Sequence, residues 1–170
     1  MKRTAFTALA AIGAVALPSA VHAQSTQGPE IYVGASAGIH DLGIGLPDDD
    51  GGIYGIIAGV DLPVGDIFFV GVEGNYHIGD GVIDSEYGVA ARAGMRVGER
   101  GKLFVRGGYQ EVELDIVLPA VVGVDDTDGD YLVGAGVEFG LGETPIRLRA
   151  GIDTIAFDST RATVGVLYAF

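Results

Sequence analysis

The chain has 170 residues, no cysteine and a formal net charge of −13 at pH 7. That length allows one domain. The missing cysteines exclude disulfide staples, thiolate metal sites, cysteine nucleophiles and a lipidated N-terminal cysteine, and the negative charge argues against binding nucleic acid through its phosphates. Hydrophobic residues make up 48% and the mean hydropathy is +0.38, yet only the N-terminus carries a helix-like apolar run. Such an excess points to a large soluble core or to a β-barrel whose apolar face lies outside.

Residues 1–23 read as a secretory signal. Lys2 and Arg3 form the positive region, residues 5–17 the apolar stretch, and Val21-His22-Ala23 the small-residue cleavage site. The apolar stretch is short of the ~20 residues that a helical span requires. Loss of Lys2 and Arg3 brings the net charge to −15, and residues 24–170 form the domain.

From residue 30 the apolar residues alternate with period two, the signature of a strand with two unlike faces. Ile31, Val33, Ala35, Ala37 and Ile39 share one face of the first strand, and an acidic loop at 41–52 follows. The second strand sets Tyr54, Ile56, Ala58, Val60 and Leu62 on its apolar face, and residues 63–66 turn the chain. In the third, Phe68, Val70, Val72, Tyr76 and Ile78 oppose Phe69, Glu73, Asn75 and His77. A loop at 79–84 leads to the fourth, where Tyr87, Val89, Ala91, Ala93 and Met95 oppose Glu86, Arg92 and Arg96.

After a turn at 98–101, the fifth strand opposes Leu103, Val105 and Tyr109 to Phe104, Arg106 and Gln110. Beyond Gln110 the apolar phase slips, because Val112, Leu114 and Ile116 take the former inner parity. A bulge near Glu111, or a hairpin protruding from the membrane, would explain the slip. The sixth strand (131–139) and the seventh (146–153) follow, separated by a turn at 140–145. The seventh puts Arg147, Arg149 and Asp153 on its inner face. A loop at 155–160 precedes the last strand, residues 161–170 (RATVGVLYAF), with Ala162, Val164, Val166, Tyr168 and Phe170 on one face.

The signal, eight alternating strands, a glycine-rich second face and the ending Tyr168-Ala169-Phe170 resemble the small opacity-protein/OmpA-like outer-membrane barrels over residues 30–170. The resemblance implies an eight-stranded antiparallel up-and-down transmembrane β-barrel in the bacterial outer membrane. It implies a monomer among outer-membrane lipid and lipopolysaccharide, with Tyr168 and Phe170 read by the barrel insertion machinery. Turns at 63–66, 98–101 and 140–145 are then periplasmic, and the longer loops extracellular. Family roles run from membrane structure to adhesion, serum resistance and narrow pores. No periplasmic peptidoglycan-binding domain is expected after the eighth strand, and loops shorter than those of the adhesive members tell against adhesion. Six of the seven tyrosines fall on apolar faces, as in an aromatic girdle, with Tyr32 the exception.

Two other classes compete. A soluble lipocalin-like barrel would turn the apolar face inward around a ligand. A lipid A-modifying hydrolase would need a serine, a histidine and an acid within reach, and His77, Ser85 and Glu86 across one hairpin are the best available set. The stretch 126–130 (DTDGD) is similar to the start of a calcium loop but has no Glu at the twelfth position, so it reads as a solvated acidic loop. No enzyme, metal site or cofactor is expected. The inner face instead predicts an ionic network in the lumen. Folding about residues 82–83 places Glu73 opposite Arg92, folding about 99–100 brings Arg106 beside Arg92, and Glu138 falls near Arg147 and Lys102.

Overall fold

A computed structural model describes residues 28–43, 50–80, 83–114 and 127–170. The proposed signal and most of the acidic loops lie outside these residues. Eight strands follow in order: β1 Glu30–Asp41, β2 Asp50–Val64, β3 Phe68–Gly79, β4 Ile83–Val97, β5 Gly101–Leu114, β6 Thr127–Gly140, β7 Ile146–Ile155 and β8 Ser159–Ala169. Each pairs antiparallel with its neighbour, and β8 closes on β1 from Tyr32↔Ala169 to Asp41↔Thr160. Closure satisfies the backbone ladder on both edges of every strand, which a chain needs if it is to stand in lipid.

The barrel is inside out. Ile56 and Val164 are 62% and 64% exposed, while Asp61 and Glu86 are 0% exposed. Large apolar side chains therefore coat the outer wall and the charges fill the lumen, which rules out the lipocalin-like arrangement, whose apolar face points inward. Tyr54, Tyr76, Tyr87, Tyr109 and Tyr131 ring the outside near the long-loop end, and Tyr168 sits near the short-turn end. Tyr32 alone among the tyrosines points into the lumen and is buried.

Glycine makes room for this filling. The three large aromatic side chains of the lumen each face a glycine directly across the ladder: Tyr32↔Gly59, Phe69↔Gly94 and Phe104↔Gly136. A Cβ on Gly59 would sit 2.6 Å from Cζ of Tyr32, and one on Gly136 would sit 2.9 Å from a ring carbon of Phe104. An eight-stranded barrel is just wide enough for side chains to fill it, so each ring lies flat over a neighbour that has none.

Two expectations about the strands change. The register of β5 against β6 runs unbroken through Glu111↔Gly129 and Val112↔Asp128, so there is no bulge at Glu111. The irregularity lies across the hairpin instead, between Ile83 and Ser85 of β4. Val112 keeps inner parity because the lumen is apolar at that level, where it packs with Ile53 and Ile83 as a lid, with Leu42 against it. The turns are also tighter than the sequence suggests, since Pro63 and Val64 belong to β2 and Asp50 to Gly52 open it.

The turn between β7 and β8 is strained. Ala156 and Phe157 have φ of 55° and 65°, both left-handed, in a three-residue connection where the amide of Asp158 reaches the carbonyl of Ile155 at 3.3 Å. Left-handed backbone is uncommon for Ala and an outlier for Phe, and each such residue costs on the order of 1–3 kcal/mol. Phe157 is 76% exposed and recovers little of that by burial. Replacing Ala156-Phe157 with Asn-Gly is expected to stabilise the barrel by about 1–2 kcal/mol. Equilibrium urea unfolding in detergent would read the shift; a lower midpoint would show that the Phe157 ring has a partner.

Candidate functional site: the charged lumen

Inner-face residues of all eight strands converge on the barrel axis. Within the wall, β4 sets Arg92 beside Arg106 of β5 as direct cross-strand partners, as expected. Glu73 pairs with Ala90 and not with Arg92, because the short connection between β3 and β4 shifts the hairpin by two residues. Its carboxylate still reaches Arg92 diagonally, with Nη1 to Oε2 at 3.1 Å.

Glu73 is the hub. One oxygen accepts from Arg106; the other accepts from Arg92, from Arg149 of β7 and from the Tyr32 hydroxyl at 2.6 Å. The same Tyr32 oxygen accepts from Arg92 Nη1 at 2.7 Å. Burying a lone charge would be prohibitive, so a carboxylate ringed by three guanidiniums is the arrangement that makes burial possible. The aromatic rings complete the seat. The Arg92 guanidinium lies 4.1 Å from the Phe104 centroid and 5.2 and 5.3 Å from those of Tyr32 and Phe69, within cation–π range.

Glu138 takes a different set of partners from the one expected. Its Oε1 accepts from Arg92 Nη2 and Arg149 Nη2, both at 2.7 Å. Lys102 is its cross-strand neighbour, but the ammonium turns to Asp61 at 2.8 Å and to Glu30 at 2.5 Å. Arg147 pairs one rung nearer the mouth, with Gly140, and bonds Glu30 at 2.6 Å. So Arg147 belongs to the short-turn mouth, and Arg149 holds the place proposed for it.

Toward the long-loop end, Arg106 grips Asp153 through two bonds of 2.7 and 2.6 Å, and Arg161 bridges Asp153 to Glu86 at 3.0 and 2.6 Å. Glu86 also meets Nδ1 of His40 at 2.8 Å and Nδ1 of His77 at 3.2 Å. Ser85 does not join His77; its hydroxyl bonds Glu113 at 2.9 Å. The serine beside His77 is Ser36, with Oγ 2.7 Å from Nε2. Inner-face parity marks Glu86, Arg149 and Asp153 in the sequence, and Arg161 by the same count. It does not say which of them meet across the lumen.

Hydrogen bonds run from Ser159 through His40, Glu86, Arg161, Asp153, Arg106 and Glu73 to Arg92, and from Asp61 through Lys102 and Glu30 to Arg147; between the two runs Arg92 and Asp61 meet as an ion pair at 3.2 Å that is not a hydrogen bond. The lid of Ile53, Ile83 and Val112 lies over the outer end of this network. Tyr168 and Phe170 lie elsewhere, on the outer wall at the short-turn end, their rings edge to face at 5.0 Å. The amide of Phe170 donates to the carbonyl of Ile31 at 2.8 Å, which carries the β8–β1 seam one residue further. Among the described residues no group of three or more His, Asp or Glu is placed to hold a metal ion.

An apolar wall around a charge-filled lumen, closed by eight antiparallel strands, defines a transmembrane β-barrel of the bacterial outer-membrane type. The chain belongs to the outer membrane protein beta-barrel domain family, whose model matches residues 7–170. Three solved structures are similar to it in fold. Ail, the attachment invasion locus protein of Yersinia pestis, has a TM-score of 0.57 at 16% identity, over 85% of this chain and 99% of that one. The N-terminal β-barrel domain of Pseudomonas aeruginosa OprF has 0.59 at 14% identity, over 83% and 97%. Neisserial surface protein A has 0.56 at 15% identity, over 85% and 98%. A comparison with curated protein sequences finds no match.

Proposed function

We propose that this chain is a monomeric structural and surface protein of the outer membrane, with a lumen sealed by side chains and at most a narrow path for water. The observation that carries the reading is the unbroken run of ion pairs along the axis, beneath an apolar lid. A steady pore needs a continuous column of water, and here the bidentate and shared carboxylate bonds occupy that column. Lipid and lipopolysaccharide are the neighbours of the wall, and the insertion machinery is the partner during assembly. One structure of Ail holds a heparin analogue, sucrose octasulfate. The net charge of −13 and the acidic runs of the sequence at 48–50 and 125–126 oppose such a polyanion.

The chain acts without catalysis in this reading. A hydrolase reading has one observation in its favour, the order Ser36–His77–Glu86, in which Glu86 sets the histidine tautomer and the histidine faces a hydroxyl. Ser36 is only 9% exposed and faces into the filled lumen, so no acyl chain or peptide reaches it. Two measurements separate the alternatives. In planar bilayers the purified barrel is expected to give no large, steady conductance, and such channels would overturn the sealed lumen. A fluorophosphonate probe is expected to leave Ser36 unlabelled, and stoichiometric labelling would favour the hydrolase.

A further inference from the structure

The charges of the lumen balance, with one exception. Arg92, Lys102, Arg106, Arg147, Arg149 and Arg161 pair with Glu30, Asp61, Glu73, Glu86, Glu138 and Asp153, six cations against six carboxylates. Arg96 is the seventh inward cation. No described carboxylate lies within 4.0 Å of it, and its Nη1 is sealed from solvent without a hydrogen-bond partner. Its cross-strand neighbour is Lys102, a like charge directly opposite, which destabilises a ladder unless an anion stands between. Lys102 turns away to Asp61 and Glu30, and no described carboxylate takes the same place for Arg96.

Arg96 lines a pocket of about 410 Å³ at the short-turn mouth, together with Arg100, Lys102, Arg147, Glu30 and Phe170. Glu30 is committed to Lys102 and Arg147. Glu99 lies on the same rim but pairs with neither Arg96 nor Arg100. Among the described residues the mouth thus offers two guanidiniums without carboxylate partners, beside Arg147, which shares Glu30 with Lys102, and Lys102, which also holds Asp61. A guanidinium presents its N–H groups as a planar fork that fits phosphate oxygens two at a time. The volume exceeds what a phosphate alone needs and holds one with its ester substituent.

We propose that the periplasmic mouth is a binding site for an oxyanion of the phosphate class, held by Arg96 and Arg100. The same chemistry arrives from two sources, a phospholipid headgroup of the inner leaflet beside Phe170 or a free phosphate in the periplasm. The barrel, refolded in a neutral maltoside without phosphate, is titrated with inorganic phosphate and separately with short-chain phosphatidylglycerol. Calorimetry and the thermal midpoint give the readouts.

Binding of phosphatidylglycerol alone assigns the membrane headgroup, and binding of both assigns the oxyanion itself. In either case Arg96→Gln is expected to weaken binding about tenfold or more, the worth of one charge-assisted bond. Without ligand, Arg96→Gln is expected to raise the thermal midpoint, because an uncompensated guanidinium is removed. That second readout shows that the variant folds and that its effect is local. Binding of neither ligand at millimolar concentration, undiminished binding in Arg96→Gln, or a lower unliganded midpoint would each overturn the proposal.

Discussion

Replacing Glu73 with alanine is expected to be the most damaging single change in the lumen. The carboxylate holds Arg92, Arg106, Arg149 and the Tyr32 hydroxyl at once. Its removal leaves three guanidiniums facing one another with no counter-charge at that level, although Asp153 and Glu138 still hold their outer ends. Breaking a buried pair on one side costs about 3–5 kcal/mol, because the surviving charge stays buried and unpaired. Glu73→Gln keeps the length and an acceptor for Tyr32 but not the charge, so it falls between the two. The barrel relieves the repulsion by letting water reach the arginines, and conductance is expected to rise with the loss of stability. The temperature at which the folded band gives way to the unfolded one on a denaturing gel measures the first, and planar bilayers measure the second. An unchanged midpoint in Glu73→Ala would show that the pairing at the hub contributes nothing.

Arg147→Ala makes the contrast. Arg147 sits at the mouth, partly exposed, and Glu30 retains Lys102 when it is lost. A mouth ion pair in contact with water is worth about 0–1 kcal/mol. The thermal midpoint is therefore expected to move little, and a loss as large as that of Glu73→Ala would place Arg147 in the central network after all.

Arg147 and Arg149 also mark what could be read in advance. Period-two alternation assigns Arg147, Arg149 and Glu138 to the inner face, because in a strand parity alone decides the face. Which charges meet depends on register and on the shear of the closed barrel. Hairpin arithmetic approximates the first and says nothing of the second. Glu73 to Arg149 joins β3 with β7, and Arg92 to Glu138 joins β4 with β6. Neither pair lies on neighbouring strands, so no loop length predicts it.

Val112 illustrates the opposite failure. An apolar residue at inner parity reads as a slipped phase only if the lumen is assumed to be polar throughout. The lid with Ile53 and Ile83 makes the parity correct and the assumption wrong. Tyr32 departed from the outer girdle for the same kind of reason. A phenol that breaks the apolar face pattern is a lumen residue, and its hydroxyl finds Glu73 and Arg92 there.

Replacing Phe170 with aspartate is expected to abolish the outer-membrane form in cells while leaving the refolded barrel nearly as stable. The ring is exposed on the outer wall, with Tyr168 as its partner at 5.0 Å. Its backbone, which the substitution retains, makes the bond to Ile31. A charge introduced near the membrane interface of a barrel costs only about 0–1 kcal/mol, far less than at the midplane. Thermodynamics alone therefore predicts a small effect. A large one needs a step at which the aromatic ending is read before the barrel closes, as the proposed pairing of the terminal strand with the insertion machinery supplies. The two quantities are measured separately, as protein in outer-membrane fractions and as the urea midpoint of the chain refolded in detergent. Loss of the first with the second preserved supports recognition of Tyr168 and Phe170 during assembly. Normal membrane levels of Phe170→Asp would end that proposal, and a matching collapse of the urea midpoint would assign the ring to stability instead.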